Sequence, residues 1–223
     1  MLPFHAVQGG GTSTIALAAL ASYLLGGVPF GLLLAKGLRG VDLREVGSGN
    51  IGATNTMRVL GRAWGVFAFL LDFAKGWAPV FLLAPWAVGG AEAAGFEWAR
   101  LACGAAAVLG HCFPVYLGFR GGKGVATGCG AIVAVDPIVF LIAGVVWLAT
   151  AASTRFVGLS SMLMGITFPI AAGVRLPYDR PFLIGCLLLA TLILVRHKKN
   201  IARMIAGTEP RMGRKKEADA THG

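Results

Sequence analysis

The sequence predicts an all-α protein, a polytopic membrane bundle of about seven transmembrane helices. Three observations predict it: the composition, the length of the apolar runs and the placement of the basic residues. Of 223 residues, 56% are hydrophobic and only 13% are charged, with a mean hydropathy of +0.73; soluble domains carry about 25% charged residues. A chain this apolar cannot clothe itself in a water-soluble surface.

Crossing about 30 Å of hydrocarbon takes about 20 apolar residues in a helix. The runs fall at Thr12–Lys36, with a bend expected at Gly26-Gly27 and Pro29, then at Ala63–Val88 and at Trp98–Gly118. The stretch from Val125 to Thr154 is divided at Asp136-Pro137, because proline disfavours helix in its predecessor and an unpaired Asp at mid-membrane is costly. That division gives segments 125–135 and 137–153, followed by Phe156–Gly173 and Pro181–Val195. Residues 1–210 read as one membrane domain and 211–223 as a basic, solvated tail.

Twenty Lys and Arg against ten Asp and Glu give a formal charge of +10. With seven crossings, sixteen of the basic residues fall on one side and three on the other, with Lys75 inside the second segment. Basic loops face the cytoplasm, so the C-terminus is expected there and the N-terminus outside. The excess charge is accounted for by topology, and no nucleic-acid partner is implied. Cys103, Cys112, Cys129 and Cys186 form no CxxC or metal-ligand pattern and read as packing residues.

Three polar, glycine-rich patches meet the cytoplasmic face of that topology. The first is Gly47-Ser48-Gly49-Asn50-Ile51-Gly52-Ala53-Thr54-Asn55 with Arg58; the second runs from Gly110-His111 to Arg120-Gly121-Gly122-Lys123-Gly124; the third is Arg196-His197-Lys198-Lys199-Asn200 leading to Gly207-Thr208-Glu209-Pro210-Arg211. Consecutive glycines can turn backbone N–H groups toward an anion, and a helix N-terminus adds its positive end. Lys123 and Arg58 supply full charges, and Ser48, Asn50, Thr54, Asn55 and Asn200 supply neutral hydrogen bonds. The chemistry suits phosphate.

Familiar alternatives fail. Residues 47–52 match GxGxxG, but no βαβ unit surrounds them; a Walker A motif would need glycine at Leu117 and Ser or Thr at Gly124. No histidine is followed five residues later by Asp, as in acyltransferases with a soluble catalytic domain. Within the second segment, Asp72 and Lys75 lie one helical turn apart and neutralise each other, or Lys75 takes a direct role. Ser160 and Ser161 begin the sixth segment near the same face, where helix packing or a ligand would use them. A transporter for a phosphorylated metabolite would also need basic residues and broken helices, but its site would sit near mid-membrane between repeats, and no repeat is visible.

The patches GSGNIGATN, GHCFPVYLGFRGGKGVAT and RHKKNIARMIAGTEPR, in this order and spacing, resemble those of the PlsY family, bacterial membrane glycerol-3-phosphate acyltransferases that use acyl phosphate. The likeness extends to LGGVPFGLLLAK and LLDFAKG, with Gly27 standing where the family often has Ser. It implies seven helices and transfer of an acyl group from acyl phosphate to sn-glycerol 3-phosphate at the bacterial inner membrane, with membrane lipid around it. It also implies that Ser48, Arg58, Lys123, His197 and Asn200 surround glycerol 3-phosphate. Asn50, Thr54, Asn55 and the amides of Gly121 and Gly122, joined by Ser160 or Ser161, would face the acyl phosphate. An acyl phosphate is already activated, so the reaction needs no metal, cofactor or covalent enzyme intermediate. The proton of the attacking hydroxyl goes to His197 or to the leaving phosphate; the sequence leaves both open.

Overall fold

The computed structural model describes residues 11–213; Arg214, Lys215, Lys216 and the rest of the expected tail lie outside them. Every regular element among the described residues is helical. The first apolar run forms α1 (Thr12–Gly27) and α2 (Phe30–Arg39), separated where Val28 turns extended ahead of Pro29, a residue with no N–H to continue the ladder. The second forms α4 (Arg62–Ala78), which passes through a π turn at Pro79–Leu83 into α5 (Ala84–Val88). The third forms α6 (Phe96–Cys112) and a 3₁₀ turn, Val115–Leu117. Then come α7 (Val125–Val135), α8 (Pro137–Thr154), α9 (Val157–Arg175) and α10 (Arg180–Arg196).

Two helices were not expected. Ala53–Leu60 (α3) and Lys198–Ile205 (α11) have eight residues each and lie outside the apolar runs. They carry the end of the first motif and the middle of the third.

Among the described residues, five spans are long and apolar enough to cross a membrane: Thr12–Arg39, Arg62–Val88, Phe96–Leu117, Pro137–Thr154 and Val157–Arg175. The pair α10–α11, bent by 50°, makes a sixth if taken as one span. The eleven residues of α7 reach about 16 Å at about 1.5 Å per residue, roughly half the hydrocarbon thickness. Exposed tryptophans mark the ends of the second span: Trp64 and Trp86 stand about 33 Å apart by helix rise, close to the ~30 Å core whose interfaces favour aromatic rings.

The polar contacts gather at the two ends of the bundle. At one end, Arg100 meets Asp179 at 2.7 Å and Arg175 meets Asp136 at 3.0 Å. Asp136 also caps α8 by accepting from the Ile138 and Val139 amides, which explains how an acid is tolerated between two apolar helices. At the other end lie the loops bearing all three motifs. Arg211 stacks on Phe156 and the Met212 amide donates to the Arg155 carbonyl, so the first tail residues are docked on the α8–α9 turn.

Between the ends, backbones approach closely where side chains are absent. Gly76 of α4 lies against the Thr127 carbonyl of α7, and Gly130 of α7 against the Phe73 carbonyl of α4; Gly26 and Gly110 bring α1 and α6 together in the same way. With no hydrophobic drive between helices in lipid, such small-residue contacts supply the packing. Bracing these pairs, Lys75 Nζ lies 2.7 Å from Asp72 Oδ1 and donates at 2.7 Å to the Val28 carbonyl beside the α1–α2 break. Both side chains are buried.

Removing one member of a buried pair strands the other charge at a cost of about 3–5 kcal/mol, while replacing both is far milder. Thermal unfolding in detergent should therefore show Asp72→Asn and Lys75→Met each lowering Tm more than the double variant. A double variant as unstable as the sum of the singles would contradict the pairing.

Candidate active site

The first motif is a loop between α2 and α3. Gly47 and Gly49 take positive φ, +63° and +69°, values that suit glycine. Asn55 braces this loop from within: its Oδ1 accepts from the Ser48 amide at 2.9 Å and its Nδ2 donates to the Leu43 and Val46 carbonyls, both at 3.0 Å. Asn55 is buried and has spent both N–H bonds, so it shapes the loop and has none to offer a ligand. Asn50 caps the loop by accepting from the Gly52 amide. Ser48, Thr54 and Arg58 are exposed.

The second motif departs from expectation. The Gly121 amide donates to the Cys112 carbonyl at 3.1 Å and the Gly122 amide to the His111 carbonyl at 3.0 Å. They satisfy carbonyls at the C-terminus of α6, which as orphan acceptors need partners. The expectation that these two amides face an acyl phosphate is corrected on that ground. The Arg196 guanidinium holds the other side of the strand, donating to the Gly121 carbonyl at 2.7 Å and the Gly122 carbonyl at 2.8 Å while stacking on Phe113. A Cβ at Gly122 would strike the His111 ring. The N–H groups that helix geometry leaves free are instead those of the first turn of α7, beyond Gly124 (φ +81°).

The third motif closes the site. Lys123 Nζ donates to Asn200 Oδ1 at 2.5 Å, Asn200 Nδ2 donates to Glu209 Oε1 at 2.6 Å, and Arg203 Nε donates to Glu209 Oε2 at 2.7 Å. The charges of Glu209, Arg203 and Lys123 act on one another and on Arg58, so cations from all three motifs converge around one carboxylate. His197, just past the end of α10, is buried and its Nδ1 lies 2.8 Å from the Ile193 carbonyl. A carbonyl only accepts, so Nδ1 carries the proton and Nε2 keeps its lone pair.

The Ser160 and Ser161 side chains make no hydrogen bond to this cluster. Ser160 donates to the Phe156 carbonyl and Ser161 to the Val157 carbonyl, and Ser161 also accepts from Trp147. Ser160 is tied to the start of its own helix and Ser161 to its own helix and to α8, and the expectation of a ligand role is corrected on that ground. Glu209 and Arg203 were missed as site residues. A signal existed: Glu209 is the sole acid between Arg196 and Arg211.

The model of the family described as glycerol-3-phosphate acyltransferase matches residues 16–207. The chain belongs to that family. A glycerol-3-phosphate acyltransferase of Dinoroseobacter shibae is 47% identical over 203 residues, covering 91% of this chain and 95% of the relative. One from Aquifex aeolicus is 43% identical over 194 residues, covering 85% and 95%. The crystal structure of PlsY, an integral membrane glycerol 3-phosphate acyltransferase, in its glycerol 3-phosphate form superposes with a TM-score of 0.82 at 41% identity, over 90% of this chain and 96% of that one. Its lysophosphatidic acid form gives 0.80 at 39% identity over the same shares. The all-helical membrane fold is thus that of this acyltransferase family.

Within the candidate site, burial pushes the Lys123 ammonium down to about 8, helped by the cations Arg203, Arg58 and Arg196 and opposed by Glu209. Lys123 is charged below that pH and neutral above it. If its charge holds an anion, kcat/KM, which reports the free enzyme, should fall as pH rises through about 8. In Lys123→Arg, whose guanidinium stays protonated, any residual activity should lose that limb. A limb at the same pH in the arginine variant would assign it to another group.

Proposed function

We propose that the protein transfers an acyl group from acyl phosphate to sn-glycerol 3-phosphate, giving 1-acyl-glycerol 3-phosphate and inorganic phosphate. The observation that carries this reading is the Lys123–Asn200 hydrogen bond, which joins motifs 77 residues apart into one cationic site at one end of a membrane bundle. The relatives' names support the acceptor, and the two PlsY structures, named for glycerol 3-phosphate and lysophosphatidic acid, support acceptor and product.

In this reading Ser48, Arg58, Lys123, His197 and Asn200 surround glycerol 3-phosphate. Charge-assisted bonds of about 1.5–3 kcal/mol each from Arg58 and Lys123 hold its phosphate. Asn50, Thr54 and the free amides of the first turn of α7 face the acyl phosphate, where the helix end stabilises the departing phosphate. The primary hydroxyl of glycerol 3-phosphate attacks the acyl carbonyl carbon, a C–O ester bond forms, the C–O bond to phosphate breaks, and the hydroxyl proton leaves with phosphate. Proximity and leaving-group stabilisation carry the rate.

Relative basicity supports the leaving phosphate as the destination of the proton. Burial and the neighbouring Lys123 charge push His197 down to about 4, below the second ionisation of a phosphate ester near 6. A phosphate oxygen is therefore the stronger base, and His197 Nε2 orients the hydroxyl by accepting its hydrogen bond. The basic end of the bundle faces the cytoplasm, with the C-terminus there and the N-terminus outside, in the bacterial inner membrane. Residues 1–210 form the catalytic unit and 211–223 a cytoplasmic tail.

Purified protein in lipid, given labelled glycerol 3-phosphate and either acyl phosphate, acyl-CoA or acyl-carrier protein, should make labelled lysophosphatidic acid from acyl phosphate alone. Product from a thioester would discard the donor, and no product from any would return the transporter, tested by uptake into sealed vesicles. His197→Ala should lose roughly tenfold or more, the value of an orienting hydrogen bond of about 1.5 kcal/mol. It should do so without losing an acid limb near pH 6.5; disappearance of such a limb would make His197 the base.

A further inference from the structure

A cavity of about 350 Å³ runs between α6, α7 and α10. Its upper end is walled by Val108, Leu109, Leu192 and Val195. That end lies directly beneath the second motif: a Cβ at Gly124 would touch Val108, and the residue after Val195 is the arginine that grips Gly121 and Gly122. Its lower end reaches Arg100 and Pro181, where Arg100 is paired with Asp179. The walls between are apolar, and Leu109, Leu188 and Val195 are open to the bilayer.

Two glycines set the width of this groove. Gly104 and Gly185 both line it; a Cβ at Gly104 would approach Val80 and Ala131, and one at Gly185 would approach Leu101, all three of which line the same space. Measured by helix rise of about 1.5 Å per residue, Gly104 lies about 7.5 Å below Leu109 and Gly185 about 15 Å below Val195. One leaflet of a bilayer is also about 15 Å deep, the reach of an ordinary membrane acyl chain. Below Gly185 the Arg100–Asp179 pair ends the apolar path.

We propose that the acyl chain of donor and product lies in this groove and that Gly104 and Gly185 act as its length gauge. The inference rests on the acyl-transfer reading and adds to it the chain-length specificity and the residues that impose it. A side chain at Gly185 shortens the groove to exclude the far methylenes of a long chain, and one at Gly104 shortens it by half.

The test compares hexanoyl, decanoyl and palmitoyl phosphate as donors. Because a misfit of a single methylene in an apolar pocket discriminates by about tenfold or more, Gly185→Leu should lower the palmitoyl-to-decanoyl ratio of kcat/KM by at least that factor. Gly104→Leu should also lower the decanoyl-to-hexanoyl ratio. Ratios unchanged from wild type, or equal losses on all three donors, would overturn the gauge. A wild type inactive on every acyl phosphate would instead overturn the underlying reading. Wild-type protein in lipid with lysophosphatidic acid bearing a diazirine at the chain terminus gives a readout independent of variant folding. Label on the α6 and α10 peptides around Leu101 and Gly185 is expected, and label confined to α8 and α9 would overturn the assignment.

Discussion

The rest of the site depends on how the strand Gly121-Gly122 is held. Its amides close off the C-terminal carbonyls of α6, and its carbonyls are gripped by Arg196 at the end of α10. A strand fixed on both edges has little freedom left, and Lys123, the next residue, is delivered to Asn200. Glycine is needed here because the His111 ring lies against Gly122 and the α6 backbone against Gly121. Loss of either side chain–free position would force the strand off α6 and move Lys123 with it.

The Glu209 carboxylate answers a second constraint. Arg58, Arg196 and Arg203 all oppose the charge on Lys123, and bringing these cations together without an anion is unfavourable. Glu209 bonds Asn200 and Arg203 and supplies the counter-charge that lets the cations assemble before a phosphate arrives. On the proposed reading this internal anion preorganises the site for a phosphate and lowers the reorganisation that catalysis requires.

Much of this was legible in the sequence. The apolar runs appear as helices within a few residues of their expected limits, and the break at Asp136-Pro137 was readable because Asp and Pro both oppose an apolar helix interior; Asp136 caps α8 in the structure. The three patches do meet at one end. What was not legible depends on partners distant in sequence. Asn55 looks like a ligand-binding amide until its bonds to Leu43, Val46 and Ser48 are seen. Gly121 and Gly122 look like anion-binding amides until α6 claims them. The helices α3 and α11, eight residues each, are too short and too polar to stand out among the apolar runs, and Glu209 gains meaning only through Arg203 and Asn200.

On the proposed reading, three motifs form one anion site organised through Lys123. Calorimetric titration of glycerol 3-phosphate into the purified protein, wild type and Lys123→Ala, tests it most directly. Loss of one charge-assisted contact worth about 1.5–3 kcal/mol should weaken Kd by roughly ten- to a hundredfold, with Tm in detergent little changed. An unchanged Kd in a folded Lys123→Ala protein would contradict the account.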